Sequence, residues 1–239
     1  MLLPYYLKRK LSLAMAFSPR LMYTIVALKL KMKSAGHRIV RPETKLVIEG
    51  PQRCGNSSAL RLVTGNNPNL KKRVATHIHR SFQLYYAAKY DVPAVVMLRP
   101  PEDSTISHAS LLCQLRQVKV ETAGERAALL RLCVEEYLAF VRDIHRLGFR
   151  QIVPFGDYVT KPDSLITYIN QVYQLNLKFG EYTQTGVEAV HVFPSEERER
   201  LKQSFTAIVK DFPEIRSLMQ TAKHYHDTLI AERILPDDQ

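Results

Sequence analysis

The chain has 239 residues, of which 46% are apolar and 24% are charged, and this is enough for one α/β domain with a sizeable hydrophobic core. Such a composition excludes a disordered, collagen-like or repeat protein. The three cysteines, Cys54, Cys113 and Cys133, match neither a zinc-site spacing nor a disulfide framework, and they favour a reducing, cytoplasmic compartment.

The formal net charge of +11 is concentrated in the N-terminal segment. Residues 1–45 contain ten Lys and Arg side chains against the single acid Glu43, and such an excess attracts anions over a long range. We therefore predict a basic amphipathic N-terminal segment at residues 1–44, followed by one domain at residues 45–239.

The same segment is also apolar, but Pro19 and Arg20 divide it into runs much shorter than the roughly 20 residues of a membrane span. Two interpretations stay open. The segment is either a helix packed on the domain with its lysines in water, or it makes peripheral contact with an anionic membrane through residues 1–41. In the second case the apolar face consists of Leu21, Ile25, Leu28 and Met32.

The remaining chain alternates short apolar runs with amphipathic stretches. We predict strands at 45–49, 73–78, 92–98 and 151–155. We predict helices from residue 59 onward and at 82–90, 104–116, 123–147, 162–175, 195–211 and 213–233, with Asp103 or Ser104 as an N-cap and Gly148 as a C-terminal stop. This alternation favours an α/β fold of three layers, α/β/α, with a central parallel sheet. Loops 50–58 and 99–107 both follow strands, so they should meet at the ligand-binding carboxyl edge.

The loop at 50–58 has the plan of a phosphate-binding loop. Gly50 and Gly55 let the backbone approach an anion, the following helix N-terminus adds partial positive charge, and Arg53 adds a full charge. The pattern of nucleotide triphosphatases fails, because Asn56 stands where the lysine is required. An ordinary Gly-Asn-Ser turn is the alternative.

The second loop places Arg99 at the end of a buried strand and Ser107 eight residues later. An arginine and a serine so placed can grip one phosphate by charge-assisted hydrogen bonds. Arg99 can instead cap the sheet edge or pair with Asp103.

Together the two loops resemble those of the PAPS-dependent sulfotransferases, which use 3'-phosphoadenosine-5'-phosphosulfate (PAPS) as donor. In that family a loop of proline, a basic residue, a small residue, glycine and two threonines holds the 5'-phosphosulfate, and Gln52-Arg53-Cys54-Gly55-Asn56-Ser57 stands there. The family's second motif has Arg, Pro, Asp and Ser at the spacing of Arg99, Pro101, Asp103 and Ser107, and it is the more specific match.

Further matches extend the resemblance over roughly residues 45–235. His77 lies 22 residues before Arg99, where the family carries its general base. Phe155-Gly-Asp157-Tyr158 is similar to a segment whose aromatic ring lies near the adenine. Pro194-Ser195-Glu-Glu-Arg198 looks like the C-terminal end of bacterial members.

The resemblance implies a P-loop NTPase-like sulfotransferase fold that transfers a sulfuryl group from PAPS and leaves 3'-phosphoadenosine-5'-phosphate (PAP), without a metal ion. It implies that Arg99 and Ser107 hold the 3'-phosphate and that Phe155 lies near the adenine. His77 would be the base and Arg53 would stabilise the leaving group, although His79 is an alternative base. The residues implied for the phosphosulfate are Arg53, Cys54, Gly55, Asn56, Ser57 and Ser58.

The departures from the family limit what is carried over. Asn56 and Ser57 replace the threonine pair, and Arg53 replaces lysine with a different charge geometry. The short interval between Arg53 and His77 implies a reduced acceptor insert, so the acceptor stays open: a hydroxyl or amine of a small molecule, a glycan or a glycolipid. No nucleic-acid partner is expected. The alternatives are a catalytically degenerate binding protein with this fold and, less favoured, a P-loop kinase.

Overall fold

The computed structural model describes residues 2–15, 18–179 and 195–235. Its strands are β1 (Leu46–Glu49), β2 (Val74–Thr76), β3 (Ala94–Leu98) and β4 (Ile152–Pro154). Its α-helices are α1 (Leu2–Ala14), α2 (Pro19–Met32), α3 (Asn56–Gly65), α4 (Phe82–Lys89), α5 (Pro101–Gln114), α6 (Ala123–Arg146), α7 (Phe155–Thr160), α8 (Asp163–Tyr173), α9 (Glu196–Asp211) and α10 (Pro213–Ala231).

The four strands form one parallel sheet in the order β2-β1-β3-β4, which confirms the predicted α/β class with a parallel sheet. Strands β1 and β3 are buried along their whole length, because they are uncharged except for Glu49 and covered on both faces. Helices α5, α6, α9 and α10 pack on one another, and α3 packs on β1 and α8, an arrangement compatible with three layers.

The predicted strands and helices all occur, with differences at their ends. The helix expected from residue 59 begins at Asn56, so Ser57 and Ser58 lie in its first turn. The helix expected from residue 104 begins at Pro101 with Pro100 as N-cap, so neither Asp103 nor Ser104 caps it. Proline is well suited to the first helical position, because the missing N–H has no helix partner there. Gly148 does follow the C-terminus of α6, with a φ of 64°.

The strand expected at 73–78 ends at Thr76, and this changes the histidine geometry. Both His77 and His79 have positive φ angles, 62° and 56°, so the two side chains do not follow the alternation of a strand. The chain also leaves β4 earlier than expected, since Phe155 begins α7 instead of ending the strand.

The two N-terminal helices pack against the rest of the protein. Met22 and Leu30 of α2 belong to the same buried cluster as the sheet residues. The Tyr23 ring contacts Tyr86 at 4.2 Å between centroids, and its hydroxyl donates to Val40 O at 3.0 Å. The boundary near residue 44 stays a prediction. Within the described ranges, no helix is both long and apolar enough to cross a bilayer.

Candidate functional site

The strand order places a crevice between β1 and β3. From β1 the chain moves to β2 on one side, and from β3 it moves to β4 on the other side. Parallel sheets bind ligands outside the carboxyl ends of strands at such a reversal. The loop after Glu49 and the loop after Leu98 therefore meet, as the sequence predicted, and the site is built between them.

The loop after β1 packs so tightly that two of its residues must be glycine. A Cβ on Gly50 would overlap the carbonyl oxygen of Met97 in β3. Gly55 has a φ of 89°, in the left-handed region, and a Cβ there would overlap the hydroxyl of Tyr158. Tyr158 in turn donates a hydrogen bond to Gly55 O at 3.1 Å, so α7 braces the loop.

We expect Gly50→Ala to destabilise the fold by about 1–3 kcal/mol, because the added methyl group meets backbone that cannot move aside easily. Gly65→Ala is the matched control, since a Cβ at Gly65 meets nothing within 4 Å and alanine favours a helix. Urea unfolding of both variants measures the difference. Equal midpoints for the two variants would show that the loop has room to relax.

The first turn of α3 supplies backbone donors to the site. Its first helical hydrogen bond runs from Ala59 N to Gly55 O, so the earlier N–H groups have no partner within the helix. Ser57 and Ser58 lie in this turn and line the cavity. The Asn56 side chain is buried instead, and its Nδ2 donates to Gly50 O at 3.2 Å. Asn56 therefore stabilises the loop with its side chain.

Cys54 also faces inward. Its side chain is fully buried, and its Sγ lies 3.6 Å from the hydroxyl of Ser104 in α5. Burial raises the pKa of this thiol to about 11, so it stays protonated at neutral pH. Ser104 also donates to Gln52 O at 2.6 Å, and these contacts tie the loop to α5. Cys54, which the sequence predicted as a ligand-binding residue, is therefore not among the residues that line the cavity.

Arg53 connects the two predicted motifs directly. It has a φ of 65°, and its Nε donates to Ser107 Oγ at 3.1 Å. Burial, together with the nearby Arg198 and Arg99, lowers the pKa of Arg53 to about 10. The guanidinium thus stays charged at neutral pH inside a cluster of positive charge, which an anion would stabilise.

Arg99 lies across the ring of Phe155, with its guanidinium carbon 4.6 Å from the ring centroid. Its Nε is 3.7 Å from Asp103 Oδ2, which is too long for a hydrogen bond. This Nε is buried and has no hydrogen-bond partner among the described residues. A buried donor of this kind is costly without an acceptor, and a phosphate oxygen would supply one.

His77 lies at the edge of the cavity. Its Nε2 is 2.8 Å from Ser57 Oγ, and its carbonyl accepts a hydrogen bond from Arg38 at 3.1 Å. Burial, assisted by the charges of Arg38 and Arg61, lowers the pKa of His77 to about 4. The ring is therefore neutral at pH 7.

His79 is held more firmly than His77. Its ring Nδ1 donates to Gly50 O at 2.8 Å, which leaves Nε2 as the unprotonated nitrogen of the neutral ring. Its backbone N–H donates to Glu49 Oε2 at 3.0 Å. Burial is the main cause that lowers the pKa of His79 to about 3. Nε2 has no hydrogen-bond partner among the described residues, and the side chain lines the cavity.

Glu49 organises the turn after β2. Its carboxylate is fully buried and accepts hydrogen bonds from Ile78 N at 2.9 Å, His79 N at 3.0 Å and Gln83 Nε2 at 3.3 Å. Burial raises its pKa to about 7 although these donors oppose the shift. A carboxylate at the end of β1 thereby fixes the backbone of both histidines.

These groups surround a cavity of about 510 Å³, a volume ordinary for a nucleotide-sized ligand. Eight of the predicted site residues line this cavity: Arg53, Gly55, Asn56, Ser57, Ser58, His77, Arg99 and Phe155. Ser107 does not line it but accepts a hydrogen bond from Arg53, which does. Leu111 and Leu112 of α5, together with Leu115 just after this helix, form an apolar wall. No Asp or Glu lies among the described residues that line it, so the cavity is suited to an anion.

Three further basic residues at the site were not assigned a role from the sequence. Arg61 follows Ser57 by one helical turn of α3, and this spacing was a usable signal. His108 lines the cavity next to Ser107, but a histidine inside a helix carries no sequence signal of its own. Arg198, buried on α9, is held by Gln114 at 2.8 Å and comes near Arg53 only through folding. Pro194, which begins the sequence motif that ends at Arg198, lies outside the described residues.

Comparisons with protein-family models, with curated proteins and with solved structures found no match for this chain.

Proposed function

We propose that the protein is a sulfotransferase that moves a sulfuryl group from PAPS to a hydroxyl or amine acceptor and releases PAP. The observation that carries the proposal is the cavity between β1 and β3, where Arg53 and Arg99 come together with no acidic side chain in the described lining. A donor with a phosphosulfate at one end and a 3'-phosphate at the other matches two separate cationic groups. The finer architecture, a P-loop NTPase-like sulfotransferase fold, is part of the same proposal.

The residues present fit such a donor. The buried Nε of Arg99, which has no hydrogen-bond partner among the described residues, would donate to the 3'-phosphate, and the Phe155 ring beside it offers an apolar surface for the adenine. The first turn of α3 and Arg53 would hold the 5'-phosphosulfate. Ser107 accepts a hydrogen bond from Arg53 at 3.1 Å and so orients this arginine. It would therefore help to hold the phosphosulfate as well as the 3'-phosphate.

When bound, the donor supplies an activated sulfuryl group whose departure leaves negative charge on the bridging phosphate oxygen. Arg53 and the N–H groups of Ser57 and Ser58 would stabilise that charge, because they are already oriented by the fold. The attacking hydroxyl must also lose a proton. His79 suits this role better than His77, since Gly50 O fixes its tautomer and leaves Nε2 as the unprotonated nitrogen of a side chain that lines the cavity. His77 Nε2 is already engaged by Ser57.

The acceptor end is less defined by the site. The positive cavity favours an anionic acceptor, such as a charged glycan or glycolipid, over a neutral one. A catalytically degenerate binding protein is the second candidate, favoured by one observation: Asn56 turns its side chain toward Gly50 O and so does not replace a ligand-binding threonine. A P-loop kinase is less supported, because it needs a lysine at that position.

Calorimetric titration with PAP tests the nucleotide proposal. We expect the native protein to bind PAP and Arg99→Ala to weaken binding about ten- to a hundredfold, because one or two charge-assisted hydrogen bonds to the 3'-phosphate are lost. Asp103→Asn is the matched control: it removes only the charge that faces Arg99 Nε at 3.7 Å, so affinity should stay equal or rise.

The titration also separates the alternatives. Failure of the native protein to bind PAP would reject both the sulfotransferase and its degenerate form. Equal affinity of native protein and Arg99→Ala would place the 3'-phosphate elsewhere. Binding of PAP without any transfer of labelled sulfate from PAPS to an acceptor, over a screen of acceptors, would favour the degenerate binding protein.

A further inference from the structure

The outer surfaces of α1 and α2 carry large apolar side chains in regular rows. Seven of the twelve exposed large apolar side chains in the described part of the chain lie on these two helices. Leu3, Leu7 and Leu11 repeat every four residues along α1. Leu21, Ile25, Leu28 and Met32 form the corresponding row on α2, with exposed fractions from 40% to 75%. We call these seven residues the N-terminal apolar face.

This face is exposed because the opposite sides of the helices are already packed. Arg9 and Lys10 of α1 form ion pairs with Glu136 and Glu135 of α6. Ser12 Oγ accepts a hydrogen bond from Arg80 at 3.0 Å. Helix α2 buries Met22 and Leu30 and packs against α4. Both helices are therefore attached by one side, and a second apolar side points away from the protein.

Lysines from both helices converge beside this face. Burial is the main cause that lowers the pKa of Lys29, and the nearby charges of Lys8 and Lys33 lower it further. Lys8 is next to Leu7 along α1, and Lys29 is next to Leu28 along α2, so each apolar row is flanked by a member of this lysine group. Arg20 and Lys31 are also exposed, and the first acid of the chain is Glu43. The two helices themselves therefore carry apolar and positive side chains without an acid, while Glu125 of α6 lies beside Leu3.

We propose that the N-terminal apolar face binds the surface of a lipid bilayer that contains anionic lipids. Leucines at helical spacing enter the boundary between headgroups and acyl chains, and adjacent lysines contact the anionic headgroups. Neither helix crosses the bilayer, since both lie along its surface. A nucleic acid would use the lysines but leave the leucines exposed to water. A second copy would bring two lysine clusters together. The proposal does not depend on sulfuryl transfer.

Flotation of the full chain with vesicles tests this proposal. Binding is expected to vesicles of equal parts phosphatidylcholine and phosphatidylglycerol, and to be much weaker with phosphatidylcholine alone. Leu7→Gln with Leu28→Gln should reduce binding at least about tenfold, because two buried leucines are lost. Lys8→Gln with Lys29→Gln should reduce it about five- to thirtyfold, with a smaller salt dependence.

Two matched controls change the same residue types elsewhere. Leu147→Gln and the pair Lys71→Gln with Lys210→Gln alter exposed residues outside α1 and α2, and they should bind vesicles as the native protein does. Circular dichroism of each variant checks that the helices form.

Several outcomes would overturn the proposal. One is the absence of vesicle binding by the native protein. Another is vesicle binding that the leucine changes do not reduce, because this would indicate a general polyanion site, such as one for nucleic acid. A third is a native dimer that the leucine changes dissociate without any vesicle binding, which assigns the face to a second copy. Titration with PAP remains an independent measurement, so failure here leaves the nucleotide proposal intact.

Discussion

Replacing Arg53 with alanine is expected to reduce PAP affinity about ten- to a hundredfold and the rate of sulfate release from PAPS by a further factor of about 10² to 10³. The affinity loss follows from the removal of charge-assisted hydrogen bonds to the 5'-phosphate. The rate loss follows from the removal of a fixed donor at the oxygen that develops charge. Calorimetry measures the PAP affinity. The rate is measured as release of labelled sulfate from PAPS, with water as the acceptor.

Stability distinguishes this result from simple unfolding. Burial and the nearby Arg198 and Arg99 lower the pKa of Arg53, so its charge is held at an energetic disadvantage in the protein alone. Arg53→Ala should therefore unfold at an equal or higher temperature than the native chain. A lower melting temperature together with lost binding would assign Arg53 a structural role instead.

Two milder variants refine the test of Arg53. Arg53→Lys keeps the charge but loses the Nε donor that contacts Ser107 Oγ at 3.1 Å, so an intermediate effect is expected. Ser107→Ala keeps the guanidinium and removes its anchor, and it should lower the rate more than PAP affinity. If both variants keep the native PAP affinity and rate, the charge at residue 53 matters and the orientation of its side chain does not.

The second large effect is expected at His79. His79→Gln should lower the rate of transfer about 10²- to 10⁴-fold, because the proton of the attacking hydroxyl loses its acceptor, while PAP affinity changes little. His77→Gln is the matched comparison, and a smaller loss is expected because His77 Nε2 already contacts Ser57. The reverse ranking would assign the base to His77, as the family resemblance implies.

The pH dependence of kcat/KM for the donor also tests whether a histidine is the base. Burial is the main cause that lowers the pKa of His79 to about 3 and of His77 to about 4. The basic form of either ring is the neutral one, so it is present above its pKa and lost below it. Because kcat/KM reports the free enzyme, activity should not fall until well below pH 6.5. A decline centred near pH 6.5 would exclude both rings in the geometry described.

Much of the site was predictable from the sequence because its residues follow strands. A short apolar run that ends in Gly50 predicts a buried strand and a loop, and Arg99 at the end of the next central strand predicts a charge at the same sheet edge. The pairing of β1 with β3 brings these loops together, as expected. Hydrophobic periodicity and chain connectivity are local signals, so this part of the prediction needed no tertiary information.

The roles of individual side chains were less predictable, because they depend on which direction each one points. Asn56 and Cys54 lie in the predicted loop, yet the Asn56 amide donates to Gly50 O and the Cys54 thiol lies against Ser104. The early end of β2 at Thr76 likewise decides how His77 and His79 are presented. Positive φ angles at both histidines are maintained by tertiary contacts, such as those from Glu49, which no local pattern reveals.

The sequence by itself determined the α/β class, the parallel sheet, the meeting of loops 50–58 and 99–107 at its carboxyl edge and the basic character of the N-terminal segment. These features follow from the periodicity of apolar residues and from composition, which are properties of the unfolded chain as well. Only the tertiary structure decided that Arg198 of α9 stands near Arg53, and that Ser107 anchors it. It also decided that the N-terminal helices are both packed and exposed: Met22 is buried, and Met32, ten residues later on the same helix, is 75% exposed. The physical reason is that contacts between residues distant in sequence depend on the packing of whole helices, and apolar spacing shows that a residue lies on a face without showing which face the protein covers.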